Sequence, residues 1–356
     1  MNISETQKHI NQNLHSWYYI NKRDLPWRDT TDPYLIWISE VILQQTRVNQ
    51  GLEYYKRFVE RFPTVKELSK AEEDEVLKYW QGLGYYSRAR NLHKAAKQIS
   101  ENFNDVFPVN YADVRNLAGI GDYTAAAITS LAHNQPYAVV DGNVYRVLSR
   151  LFGIFTPIDS GNGKKEFAEL AQNLLSKSEP ALHNQALMEF GALQCVPASP
   201  DCQNCPLQSV CQAFATNKVS DLPIKQHKTK TSIRYFNYLF IKHKEITYLQ
   251  KRTAKDVWQN LYEFPLIEAD KLCDLEELTE NTEFKSLFSG IKELKIIKTT
   301  NPIKHVLSHR VIIAQFVSVS ISESNNQLEK YINVQLTEIY KYAVSRLMEL
   351  FLEKLS

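Results

Sequence analysis

No apolar run in the sequence approaches the ~20 residues that a membrane-crossing helix needs. The opening stretch, MNISETQKHI, lacks the basic-then-apolar pattern of a secretory signal, so a soluble, intracellular, cytoplasmic protein is expected, with no membrane partner. An excess of one charge is missing too. Lys and Arg number 42 against 40 Asp and Glu, a net of +2, and no global basic field announces nucleic acid. Cysteine is sparse, yet four of the five (Cys195, Cys202, Cys205 and Cys211) fall within 17 residues, and Cys273 stands apart. In a reducing compartment such clustering suggests metal before disulfide.

What is present is ordinary for a globular protein: 44% hydrophobic and 23% charged residues in a chain of 356, long enough for two domains that each bury a core. Asp32 and Pro33 form a cap and first helical position, and helix is predicted from there to Arg61. Helical patterns continue at Glu72–Tyr79, Arg88–Ile99, Tyr123–Ala132, Val144–Phe152, Glu166–Leu175 and Leu182–Leu193, punctuated by Gly82, Gly84, Pro108, Gly119 and Gly121. Strand patterns are absent before residue 220, which makes the first domain, 1–218, all-α. A polar, basic, proline-containing stretch at 219–230 reads as a linker. Beyond it, Ile233–Ile241, Ile246–Gln250 and Val311–Ile321 read as strands and Glu338–Leu355 as a closing helix, so 231–356 is an α+β domain. Nine basic residues and one acid, Glu245, lie between Lys225 and Lys255; they suit either a solvated face or phosphate contact.

The spacing Cys195-x6-Cys202-x2-Cys205-x5-Cys211 places four thiolates on one loop, a donor set that suits zinc or an iron–sulfur cluster equally. Leu117-Ala-Gly119-Ile-Gly121-Asp-Tyr123 is a glycine-bearing turn opening a helix. Glycine permits close backbone approach, and free N–H groups at a helix start attract phosphate, although many such turns only join two helices. Glu40 sits mid-helix on a stripe with Ile36, Trp37 and Leu43. A carboxyl in apolar company is expected to hold its proton near neutrality, whereas a lone helical Glu is more often simply exposed. Asp141 precedes a helix and is expected to cap it, which keeps a carboxylate ionised. An acid beside an anion is the pairing that glycosidic cleavage needs.

Taken together, the hairpin, Val140-Asp141-Gly142-Asn143-Val144 and the four-cysteine loop resemble the helix–hairpin–helix DNA glycosylases of the endonuclease III and MutY branches, over residues 20 to 215. Lyase members carry a lysine two places after the second hairpin glycine; Tyr123 stands there and cannot form a Schiff base. Leu25-Pro-Trp27-Arg28, Glu40-Val-Ile-Leu-Gln-Gln45-Thr46 and Gly82-Leu-Gly-Tyr-Tyr-Ser-Arg88 resemble the adenine DNA glycosylases. The resemblance implies a monofunctional, monomeric base-excision enzyme that releases adenine from duplex DNA opposite 8-oxoguanine or guanine. It assigns protonation of adenine N7 to Glu40, stabilisation of the cationic sugar to Asp141, wedging of the gap to Gln45 and Tyr85, and pocket lining to Trp27, Arg28, Tyr123, Asn143 and Glu189. It also implies a [4Fe–4S] cluster on the loop 195–211, held by Cys195, Cys202, Cys205 and Cys211. For each aromatic, core packing is the plain alternative.

Trp258-Gln-Asn-Leu-Tyr-Glu-Phe-Pro265 and Val306-Leu-Ser-His-Arg310 resemble the Nudix-like lesion-recognition domain of the same family. Gly290 is the one glycine after residue 224, and no glycine-started box of clustered Glu and Arg follows it, which argues against pyrophosphate hydrolysis. Leu307-Ser308-His309 stands where the family has Phe-Ser-His, so the polar readers are kept and the inserting ring is replaced. Two other readings compete: a lyase acting on oxidised pyrimidines, and a non-catalytic zinc-holding DNA-binding protein.

Overall fold

The computed structural model describes residues 3–226 and 231–355; the end of the expected linker, 227–230, lies outside the described residues. In chain order the helices of the first two-thirds are α1 (Ile3–Asn21), α2 (Pro33–Leu43), α3 (Val48–Arg61), α4 (Val65–Lys70), α5 (Glu73–Trp80) and α6 (Ser87–Phe103). They continue with α7 (Tyr111–Arg115), α8 (Asp122–His133), α9 (Gly142–Phe152), α10 (Gly161–Leu174), α11 (Pro180–Leu193) and α12 (Gln212–Ala215). Strands follow: β1 (Ser232–Lys242), β2 (Ile246–Lys251), β3 (Tyr262–Glu263) and β4 (Leu266–Ala269), then β5 (Leu294–Thr299), β6 (Ile303–Val306), β7 (Arg310–Ile321) and β8 (Ile332–Gln335). Among them lie α13 (Leu275–Glu280) and α14 (Thr282–Leu287), and α15 (Arg346–Leu352) closes the chain. Among the described residues, no helix is long and apolar enough to cross a membrane.

Two compact units emerge, one of residues 1–70 and 91–228, the other of 71–90 and 229–356. The first is all-helical. Its core joins Ile10, Leu14 and Tyr18 of α1 to Val144, Val147 and Leu148 of α9 and to Phe190 of α11. As the sequence predicts, Asp32 caps α2 by accepting Tyr34 N, with Pro33 in the first turn. The single helix expected from Asp32 to Arg61 is instead two. The chain leaves α2 at Gln44 (ψ 114), Gln45 takes a left-handed φ of 58, and α3 starts afresh at Val48.

The second unit is built on β1 and β7, which pair in parallel over the full length of β1, from Ser232↔Arg310 to Lys242↔Ser320. A central parallel pair is covered on both faces, which explains the unbroken burial from Phe236 to Ile241 in β1. The sheet order is β4-β1-β7-β5, with β6 also on β7, and a second sheet runs β3-β2-β8. Asn237 and Gln315, buried mid-strand, satisfy each other through Gln315 Nε2 and Asn237 Oδ1 at 2.8 Å. Residues 71–90 join this unit by side-chain bonds. Asp74 accepts Lys251 Nζ at 2.5 Å and Tyr262 OH at 2.6 Å, and Gln81 Nε2 donates to Glu349 at 3.0 Å. The closing helix is shorter than expected. A 3-10 turn at Leu336–Lys341 gives way to extended chain, where Ala343 O accepts Tyr262 N, before Ser345 caps α15.

Candidate active site

Helices α2 and α8 bring Glu40 and Tyr123 together in the first unit. Tyr123 OH donates to Glu40 Oε2 at 2.7 Å and lies 3.8 Å from Met188 Sδ. Burial pushes the Glu40 pKa up to about 7; the nearby Asp141 charge adds to this, and the Tyr123 hydrogen bond opposes it. The carboxyl is therefore half protonated near neutrality, as its apolar helix stripe predicts. Because Tyr123 occupies Oε2, the other oxygen is left to carry a transferable proton.

Asp141 caps α9 as expected. Its Oδ1 accepts Val144 N and its Oδ2 accepts Asn143 Nδ2, both at 2.8 Å. Capping alone predicts a low pKa. Desolvation of the carboxyl is the larger effect, and the pKa lies above its ordinary value in spite of the bonds from Val144 and Asn143 and the Arg146 charge. Asn143 Oδ1 in turn accepts Arg146 Nη2 at 2.8 Å, and the same guanidinium reaches Gly191 O at 2.6 Å and Cys195 O at 2.7 Å.

Glu189 is buried, and it faces two arginines. Arg23 and Arg28 each place two donors on its carboxylate, at 2.9 and 2.6 Å and at 2.8 and 2.5 Å. Burial alone would raise its pKa, but the bonds from Arg23 and Arg28 carry it down to about 2. Arg28, which the resemblance places in the pocket, is thus clamped in a buried ion pair, and Trp27 packs edge-on against Tyr55 at 5.1 Å. Arg23, Arg146 and Met188 escaped the sequence reading; for Arg146 the signal was its position on the helix that Asp141 caps.

Between α7 and α8 the hairpin turns through Gly119, whose φ is 75 and whose absent Cβ would stand 2.6 Å from Asn91 Cβ. Gly121, at φ −94 ahead of α8, faces open space. The two glycines therefore have different reasons to be there. Gln45 and Tyr85 share an unusual feature: both are left-handed, at φ 58 and 48, a conformation that costs a non-glycine residue ~1–3 kcal/mol and collects at functional sites.

In the second unit Tyr85 is exposed, and its hydroxyl lies 2.6 Å from Ser308 Oγ. Ser308 and His309 are exposed at the tip of a tight β6–β7 turn closed by Leu307 N donating to Arg310 O at 2.8 Å, with Leu307 half-buried beside them. The basic stretch Lys225–Lys255 is partly consumed internally: Arg234 pairs with Glu268, Arg252 with Glu263 and Lys251 with Asp74. Its members at 227–230 lie outside the described residues.

All four clustered cysteines line one small cavity in the first unit, together with Arg150, Phe190 and Leu207. None is in a disulfide. Arg150 Nη1 donates to Cys195 Sγ at 3.5 Å, and Cys211 Sγ donates to Arg150 O at 3.4 Å. Among the described residues no three His, Cys, Asp or Glu side chains converge as a single-ion site. Four thiols around a shared cavity are a donor set that suits zinc or an iron–sulfur cluster.

Residues 38–177 match the HhH-GPD superfamily base excision DNA repair protein family, and residues 237–354 match the NUDIX domain family. The chain is 34% identical over 328 residues to the adenine DNA glycosylase of Buchnera aphidicola subsp. Baizongia pistaciae, covering 89% of each chain. It resembles the structure of a thermostable thymine-DNA glycosylase at a TM-score of 0.57 and 28% identity, over 61% of this chain and 100% of that one. A non-covalent endonuclease III–DNA complex matches in fold at a TM-score of 0.51 and 23% identity, over 59% of this chain and 97% of its own.

Proposed function

This chain belongs to the adenine DNA glycosylase family, and from that premise we propose that it removes adenine paired with 8-oxoguanine or guanine in duplex DNA. It is a hydrolase of N-glycosyl bonds acting in base excision repair. The observation that carries the finer reading is Tyr123, a phenol in the place of a lyase lysine, bonded to a Glu40 whose pKa is about 7. Glu40 delivers its proton to adenine N7, which makes the base a leaving group, and afterwards helps orient water on the anomeric carbon. Asp141 faces the sugar as cationic character develops. That charge itself favours the ionised carboxylate, and Asn143 and Val144 hold it in orientation. Adenine has to leave the stack to reach these groups. Gln45 and Tyr85, already in strained backbone conformations, supply the wedge, Gly119 and Gly121 open the helix start to a phosphate, and Ser308 and His309 read the opposite base.

Cys195, Cys202, Cys205 and Cys211 would hold a [4Fe–4S] cluster, which supplies cross-linking of the loop and no bond-making in base release. On this reading residues 1–218 and 231–356 act as glycosylase and lesion-recognition domains, joined at 219–230, in an intracellular monomer. The test is base release from duplexes carrying adenine opposite 8-oxoguanine, guanine and thymine, with borohydride present. Expected are selective release opposite 8-oxoguanine, strand breakage only after alkali and no trapped adduct. Nicking under mild conditions with a trapped adduct would refute the monofunctional reading, and equal release from all three duplexes would refute the specificity.

A further inference from the structure

The turn that carries Ser308 and His309 is fixed by backbone bonds at its ends: Leu307 N donates to Arg310 O, and Ser232 N donates to His309 O at 3.1 Å. Its side-chain anchor is Arg310, immediately after His309, whose Nη1 donates to Asp256 Oδ1. Asp256 lies between β2 and β3, and its Oδ2 accepts Arg234 Nη1 at 2.6 Å and Arg252 Nη2 at 3.1 Å. The same loop also braces β6 directly, with the Trp258 ring 5.7 Å from that of His305.

The three guanidiniums do not depend equally on Asp256. Arg234 is held bidentately by Glu268 at 2.5 and 2.6 Å, and Arg252 Nη1 reaches both oxygens of Glu263 at 2.8 Å. Arg310 has no second carboxylate among the described residues. Loss of the Asp256 charge would leave Arg234 and Arg252 paired and release Arg310 alone. The stability of the node therefore does not explain why a third carboxylate is placed there. Its distinctive effect falls on the turn.

We propose that Asp256 is a positioning residue for lesion recognition, acting through Arg310 to fix the turn that presents Ser308 and His309 to the base opposite adenine. Telling 8-oxoguanine, with a donor at N7 and an oxygen on C8, from guanine requires the hydroxyl and imidazole to be held within ~0.5 Å of their productive places. The ion pair supplies that constraint at the residue adjoining His309. This inference rests on the reading of Ser308 and His309 as the recognition pair.

Binding and single-turnover assays on adenine opposite 8-oxoguanine and opposite guanine test it in the full chain. Asp256→Asn and Arg310→Gln should each reduce the preference for 8-oxoguanine by about tenfold, the scale of one lost specific base contact. Arg310→Lys, which keeps the charge, should retain most of the preference. Glu268→Gln perturbs the same network without touching Arg310, and should lower melting temperature at least as much as Asp256→Asn while leaving the preference intact. A loss of preference that tracks melting temperature across all four variants, or an equal change of affinity on both duplexes, would overturn the proposal. Ser308→Ala combined with His309→Ala separates the two layers. If that variant loses the preference and Asp256→Asn does not, only the positioning role fails. If it keeps the preference, the recognition reading fails and the positioning role with it.

Discussion

Tyr123 fixes one oxygen of Glu40, and the direction of its effect can be tested. The hydrogen bond favours the ionised carboxyl, so it opposes the rise from burial, and the two together leave the pKa at about 7. Base release that needs protonated Glu40 should decline as pH rises through about 7. Tyr123→Phe removes the opposing bond, so the pKa rises further and the alkaline limb of the single-turnover profile should move to higher pH; a limb that stays in place would take Glu40 out of the role. Glu189 makes the opposite case. Its pKa is depressed from 4.5 to about 2, so its pairing with Arg23 and Arg28 contributes stability that is complete above the ordinary glutamate range and lost as pH falls toward 2. Glu189→Gln leaves two cations facing a neutral amide and should cost about 3 kcal/mol in urea unfolding at neutral pH, with a shallower loss of stability on acidification. An unchanged midpoint would mean that the pair contributes nothing net.

At the level of elements, the hairpin separates a glycine that the fold requires from one that it does not. Gly119→Ala should lower melting temperature and DNA affinity together, since a Cβ there meets Asn91 at 2.6 Å on a left-handed backbone. Gly121→Ala meets nothing within 4 Å and should leave melting temperature alone. A fall in affinity for that variant, measured by anisotropy, would therefore report the ligand's own closeness to the backbone. The cysteine loop behaves as one element: Cys202→Ser should lower iron content, folded yield and DNA affinity in step, and a metal-free protein of full affinity would contradict the cross-linking role. Much at this level was legible in sequence. Asp32 and Asp141 announced their helices because capping is local, and β1 and β7 announced themselves because β-branched and aromatic residues crowd into both segments. The break at Gln44–Arg47 and the shortened C-terminal helix were not legible. In one a left-handed glutamine ends a helix that periodicity would continue; in the other a tertiary bond from Tyr262 N to Ala343 O holds the chain extended. Glu40 and Tyr123 could be named as candidates in advance, and the structure brings them into one hydrogen bond, whereas the Arg23–Glu189–Arg28 clamp joins residues more than 160 positions apart and leaves no periodic trace.

In the whole molecule, residues 71–90 lie inside the stretch matched by the glycosylase family and yet pack with the C-terminal unit. A chain ended at residue 226 loses the groups that hold Asp74, Gln81 and Tyr85, namely Lys251, Tyr262, Glu349 and Ser308. Hydrogen exchange should then rise sharply across 71–90 while α8, α9 and α11 stay protected; protection equal to that of the full chain would show that the segment is self-sufficient. The discontinuity also sets a schedule for synthesis. Asp74 leaves the ribosome long before its partner Lys251, 177 positions further on. At ~5–20 residues per second, roughly 9–35 s pass before Lys251 exists to pair with it. For that interval the nascent chain carries a segment whose bonding partners in the finished fold have yet to be translated.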